Sequence, residues 1–73
     1  MRRFAVVYEK AESNWAAYIP DLPGCVTTGA TLEETKRNIK EAIALHVEVM
    51  REIGEPIPST TTEVEVVEFE IAS

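Results

Sequence analysis

Cys25 and His46 are the chain's only cysteine and only histidine, and as a pair they are the one combination suited to nucleophilic catalysis. Their settings argue against it. Cys25 follows a glycine at the start of a strand-like run, where a cysteine serves as a small buried hydrophobe. His46 falls within an apolar helical stripe and reads as a core or interface residue. A single cysteine forms no internal disulfide, and a single histidine excludes a His-rich metal site. Gly24, Gly29 and Gly54 lie too far apart to cradle a phosphate and read as turn, strand-end and helix-cap residues. The expectation is a protein that is not an enzyme and needs no cofactor.

The carboxylates are the other chemistry-bearing set. Asp and Glu number 13 against 7 Lys and Arg, a net charge of -6. Such a surface repels phosphate backbones, so no direct nucleic-acid contact is expected. A basic protein is the better electrostatic match. Glu33, Glu34, Glu41, Glu48 and Glu52 fall on the polar side of a helix and read as solvated surface. Glu63, Glu65, Glu68 and Glu70 alternate with apolar residues, in a region that carries no lysine or arginine after Arg51. Together with Asp21 they are the candidate partner contacts.

The elements that carry these residues are legible in order. Phe4 to Glu9 is a strand, Lys10 to Asn14 a polar turn, and Trp15 to Ile19 a second strand. Pro20 to Gly24 breaks it, because each proline fixes φ and lacks an N–H. Cys25 to Gly29 is a short third strand. Thr31 and Glu34 form a T-x-x-E capping box that opens a helix. Leu32, Ile39, Ile43, His46, Met50 and Ile53 recur at helical spacing and mark its core face. Gly54 and Pro56 stop it. Glu63 to Ile71 reads as a last strand with a break in register. Val64 and Val66 face one way, whereas Val67, Phe69 and Ile71 face the other. A bulge reconciles the halves, and so does a strand that leaves its own sheet for another chain.

The order β-β-β-α-β defines an α+β domain over residues 1–73, and a right-handed crossover gives sheet order 3-2-1-4 with one helix on one face. Strands 1 and 2 are apolar on both faces, which calls for cover on both. One helix supplies one. Domains of this size rarely draw more than a few kcal/mol from a single core. A dimer or tetramer is therefore expected, with Trp15, Ala17, Tyr18, Leu45, Val49 and Phe69 as candidate contacts. No apolar run reaches the roughly 18–20 residues that span a bilayer. The N-terminal apolar run is too short for a signal peptide. A cytoplasmic protein without a membrane partner is expected.

The run Pro20-Asp21-Leu22-Pro23-Gly24-Cys25, then Thr27, Gly29, Thr31, Glu33, Glu34, Asn38, Ala42 and Gly54 to Pro58, resembles the HicB-like antitoxin family. The match extends from Val6 to Pro58. Ala30 and Thr35 depart from the family's frequent Asp and Ala. The resemblance implies a partial RNase H-like fold and a role in binding and inhibiting a small basic HicA-type toxin that cleaves mRNA. Many members carry a further C-terminal DNA-binding segment, and a chain of this length is expected to lack one. The alternative is a stand-alone homo-oligomeric adaptor. A metal-dependent nuclease is disfavoured, because that chemistry needs clustered carboxylates, and strand 1 has only Glu9 at its end.

Overall fold

The computed structural model describes residues 2–72. Three antiparallel strands and one helix follow in the order β1 (Val7–Lys10), β2 (Trp15–Tyr18), β3 (Val26–Gly29) and α1 (Leu32–Glu52). The sheet order is β1-β2-β3. The α+β class and the first three strands match the sequence reading.

β1 is shorter than its apolar run. Val7 stands opposite Tyr18, so Val6 and Ala5 come next to Ile19 and Pro20. Pro20 has no N–H to give a ladder. The chain there turns on itself instead, with Leu22 N–H donating to Ile19 O at 3.0 Å and Cys25 N–H to Leu22 O at 3.0 Å. The loop closes when Ile19 N–H donates to Cys25 O at 3.2 Å. That compact turn buries Leu22 and carries Gly24 at φ 85°.

Tyr8, Ala17 and Thr27 stand in one row across the sheet, on the face that meets α1. Ala17, Ile19, Leu22, Cys25 and Ile39 form the buried core, with Phe4, Val6, Tyr8, Ala42, Ile43 and Met50 packed around it. Val7, Tyr18 and Val26 form a row on the opposite face. Val26 is 64% exposed there, and among the described residues no second layer covers that face.

The helix ends follow their signals. Thr31 is the N-cap, and its hydroxyl accepts the Glu34 N–H at 3.1 Å. At the other end Glu55 N–H reaches Met50 O at 2.9 Å and Gly54 N–H reaches Arg51 O at 3.3 Å. With Gly54 at φ 79° this is a Schellman stop. Asn38 ties the helix to the sheet by donating to Thr28 O at 2.9 Å.

The fourth strand needs correction. Residues 63–71 form no ladder, so the sheet is three-stranded and the order 3-2-1-4 is not realised within the chain. Its apolar side chains, Val64, Val66, Val67, Phe69 and Ile71, are all exposed. Alternation makes a segment able to pair but does not say with what, and the switch of face between Val66 and Val67 means that one regular ladder without a bulge buries only one half on a given side.

Gly29 sets the distance between β3 and α1. A Cβ there would lie 2.5 Å from Thr35 Oγ1 and 2.8 Å from Thr35 N. Thr35 is fully buried, with its hydroxyl donating to Thr31 O at 2.7 Å. The neighbour is backbone and cannot swing away. Gly29→Ala should therefore cost roughly 1–3 kcal/mol, the range for overpacking. For a domain this small that lowers Tm by at least about 4 °C. Thermal unfolding followed by circular dichroism measures it, and an unchanged Tm refutes the close approach.

Candidate functional site

The sequence singles out Asp21 and the glutamates of residues 63–70, and the structure shows how they are related. Asp21 sits at the start of the turn between β2 and β3. Its carboxylate accepts four hydrogen bonds from a segment 40 residues away. Thr61 N–H and Thr62 N–H donate to Oδ2 at 3.2 and 3.3 Å. The Thr61 and Thr62 hydroxyls donate to Oδ1 at 3.0 and 3.1 Å. Removal from water pulls the Asp21 carboxyl pKa upward, but the hydrogen bonds from Thr61 and Thr62 outweigh it, and the net effect holds the group below its ordinary value. Asp21 is thus engaged internally as a clamp. It pins the root of an arm that runs from Glu63 to the end of the described chain.

Glu63, Glu65, Glu68 and Glu70 are exposed along this arm. Its proximal part faces Arg3, Phe4 and Ala5 across an open cleft of about 1010 Å³. Arg2 adds a second tether by donating to Ile57 O at 3.2 Å.

Of the residues expected at an oligomer contact, Ala17 lies in the core under α1, Trp15 is half-buried, and Tyr18, Leu45, Val49 and Phe69 are exposed. Leu45 and Val49 join Val26, Met50 and Ile53 around an apolar groove of about 460 Å³ between β3 and the second half of α1. Sequence periodicity placed Ile53 on the core face, yet it is 64% exposed. Met50 is the last helical residue packed against the core, and Ile53, the C-cap, faces the open groove. Cys25 and His46 line the same groove. Burial pushes the Cys25 thiol up, away from the thiolate a nucleophile needs. Among the described residues no cluster of three or more His, Cys, Asp or Glu side chains could hold a metal ion. Among the described residues no helix is long and apolar enough to cross a membrane.

Sequence reasoning missed Thr61 and Thr62. They read as a short polar linker, and nothing local marks a partner so far away. Thr61 and Thr62 are two of the four consecutive hydroxyl residues, Ser59 to Thr62, that follow the Pro56-Ile57-Pro58 run.

The described residues thus form a small α+β scaffold with an acidic arm, a buried thiol and an uncovered apolar groove. Residues 4–71 match the family described as HicB-like antitoxin of bacterial toxin–antitoxin systems, and the chain belongs to that family. A UPF0150 protein of Thermoplasma acidophilum is 37% identical over 62 residues, which cover 84% of this chain and 90% of the relative. An uncharacterised 14.9 kDa protein of Haemophilus phage HP1 is 39% identical over 57 residues, 78% of this chain and 43% of the relative. Antitoxin HicB 2 of Photorhabdus laumondii is 37% identical over 65 residues, 84% of this chain and 45% of the relative. The chain thus spans less than half the length of the last two. Among solved structures, a chain of a HicA3 and HicB3 toxin–antitoxin complex superposes with a TM-score of 0.70 at 30% identity, covering 82% of this chain and 70% of that one.

The clamp has a pH signature. The folded carboxyl titrates below the ordinary value of 3.8, so its contribution is complete above that pH and fades as pH falls through the lower folded value. Hydrogen exchange at the Thr61 and Thr62 amides should be protected at neutral pH. Asp21→Ala should speed it several-fold while β2 amides are unchanged. Equal protection in the variant would mean that the clamp does not hold the arm.

Proposed function

We propose that this chain sequesters a small basic HicA-type toxin as a non-enzymatic antitoxin of the cytoplasm, acting as one domain over residues 1–73 and touching no nucleic acid itself. The observation that carries the reading is the exposed acidic arm, with Glu63, Glu65, Glu68 and Glu70 held out from the body by the Asp21 clamp. An enzyme that cleaves RNA must present cations to phosphate. A strip of carboxylates competes for those cations. Family membership and the likeness to a chain of a toxin–antitoxin complex support the reading.

The same proposal holds that the chain works as a dimer or tetramer, with a partial RNase H-like sheet completed by a fourth strand. Support comes from the apolar groove at Leu45 and Val49 and from the uncovered sheet face around Tyr18 and Val26. Those surfaces also support a second reading, a homo-oligomeric adaptor without a toxin. The two readings separate on whether the protein co-purifies from its own cells with a short basic ribonuclease.

Charges at the rim of an interface chiefly set the association rate and its salt dependence. Replacing Glu63, Glu65, Glu68 and Glu70 by glutamine should slow association with a basic toxin and flatten its dependence on ionic strength. The fold should persist, since exposed ion pairs contribute at most about 1 kcal/mol each. Stopped-flow binding at low and high salt reads both quantities. Wild-type kinetics in the quadruple variant would move the interface to the Pro20–Gly24 turn and β2.

His46 lines the groove beside a Cys25 thiol that burial pushes away from ionisation, so His46→Leu should leave folding and toxin binding intact. Loss of binding with an unchanged circular dichroism spectrum would assign His46 to the interface.

A further inference from the structure

We infer that the distal arm, Val67–Ile71, is the fourth strand of a second copy: it pairs with the free edge of that copy's β1, and the exchange is reciprocal. The inference rests on the self-association reading and requires no toxin.

Size is the first observation. A compact chain of 73 residues has a radius of gyration of roughly 11 Å. The value here is 14.7 Å, and the molecule extends 54 Å along its longest axis against 27 and 19 Å across. The arm accounts for the excess. Five apolar side chains stand on it in solvent, with Val66 90% and Phe69 77% exposed. A monomer gains nothing from that exposure, and each would bury favourably against another surface.

The second observation is the phase switch between Val66 and Val67. It falls where the arm parts from its own body. Glu63 to Glu65 still face Arg3 to Ala5 across the cleft, whereas the surface around Val67 to Glu70 is lined by those residues alone. A strand held by one body in its first half and by another in its second has reason to change the face it buries at the crossing point.

The receiving edge is the third. β1 ends the sheet, and its outer edge has no partner among the described residues. Such an edge is a template for strand addition. Charge selects it over the other candidate, the groove beside β3. Arg2, Arg3 and Lys10 outnumber Glu9 and Glu12 along and beside β1, whereas Glu48, Glu52 and Glu55 outnumber Arg51 at the end of α1 that borders the groove. An arm carrying Glu68 and Glu70 suits the first and is repelled by the second.

The linker favours exchange. Pro56 and Pro58 stiffen its start, and the Asp21 clamp fixes its end, so the arm leaves in a set direction.

Complementary charge variants test the pairing. One carries Glu68→Lys and Glu70→Lys, the other Arg2→Glu, Arg3→Glu and Lys10→Glu. All five positions are exposed, so folding should be retained and is checked by circular dichroism. Sedimentation velocity of each variant alone should show self-association weakened about tenfold or more relative to wild type, and an equimolar mixture should restore it. Phe69→Glu should dissociate the assembly and not be restored by mixing with either charge variant. Wild-type association in each charge variant overturns the inference while leaving self-association intact. Weakened variants that mixing does not restore also overturn it, because an arm folded back on its own β1 predicts that result. A monomeric wild-type protein at micromolar concentration overturns both the inference and the self-association reading.

Discussion

The contact between Gly29 and Thr35 is the constraint on which the rest of the molecule depends. β3 ends at Gly29, two residues before the helix cap, and the first turn of α1 lies directly over it. Only a residue without a Cβ allows that approach. Thr35 fills the space and returns its hydroxyl to Thr31 O, so the buried oxygen is satisfied within the same turn. This junction fixes where α1 starts and how closely it lies on the sheet. Ile39, one turn further on, can then close over Ala17 and Ile19. Gly29, Thr31 and Thr35 together make one strand-to-helix joint.

A second joint lies at the opposite end of the sheet. Asp21 stands in a turn whose backbone is already closed by three internal hydrogen bonds, so its carboxylate is held still. Four donors from Thr61 and Thr62 converge on it. Each such bond is modest at an exposed site. Their convergence on one fixed group gives the chain after the helix a defined starting point. A negative arm emerging from a fixed point can be offered to a partner with less ordering cost than a free tail.

The core is small, as expected for a chain of this length, and it covers one face of the sheet. The other face and the end of α1 keep Tyr18, Val26, Leu45, Val49 and Ile53 accessible. Val26, Leu45, Val49 and Ile53 line one groove, whereas Tyr18 is exposed on the open face of the sheet. The one thiol is buried and held protonated, and the carboxylates are spread along an arm.

Local sequence determined the local structure here. The capping threonine, the helical spacing of Ile39 and Ile43 and the Gly54–Pro56 stop each act within a few residues, so α1 was legible to within a residue or so at each end. The first three strands were legible for the same reason, apart from the half-turn of β1 that Pro20 leaves without a donor. The family signature was legible because it spells out the turn and the strand-to-helix joint. What tertiary structure alone decided was which distant groups meet. Asp21 reads as a surface carboxylate until Thr61 and Thr62 arrive from across the chain. Ala17 reads as a contact for a second chain until the register puts it beneath Ile39. Residues 63–71 read as a strand of this sheet, because alternation records a segment's capacity to pair and carries nothing about its partner; backbone hydrogen bonding is the same whichever chain supplies the edge.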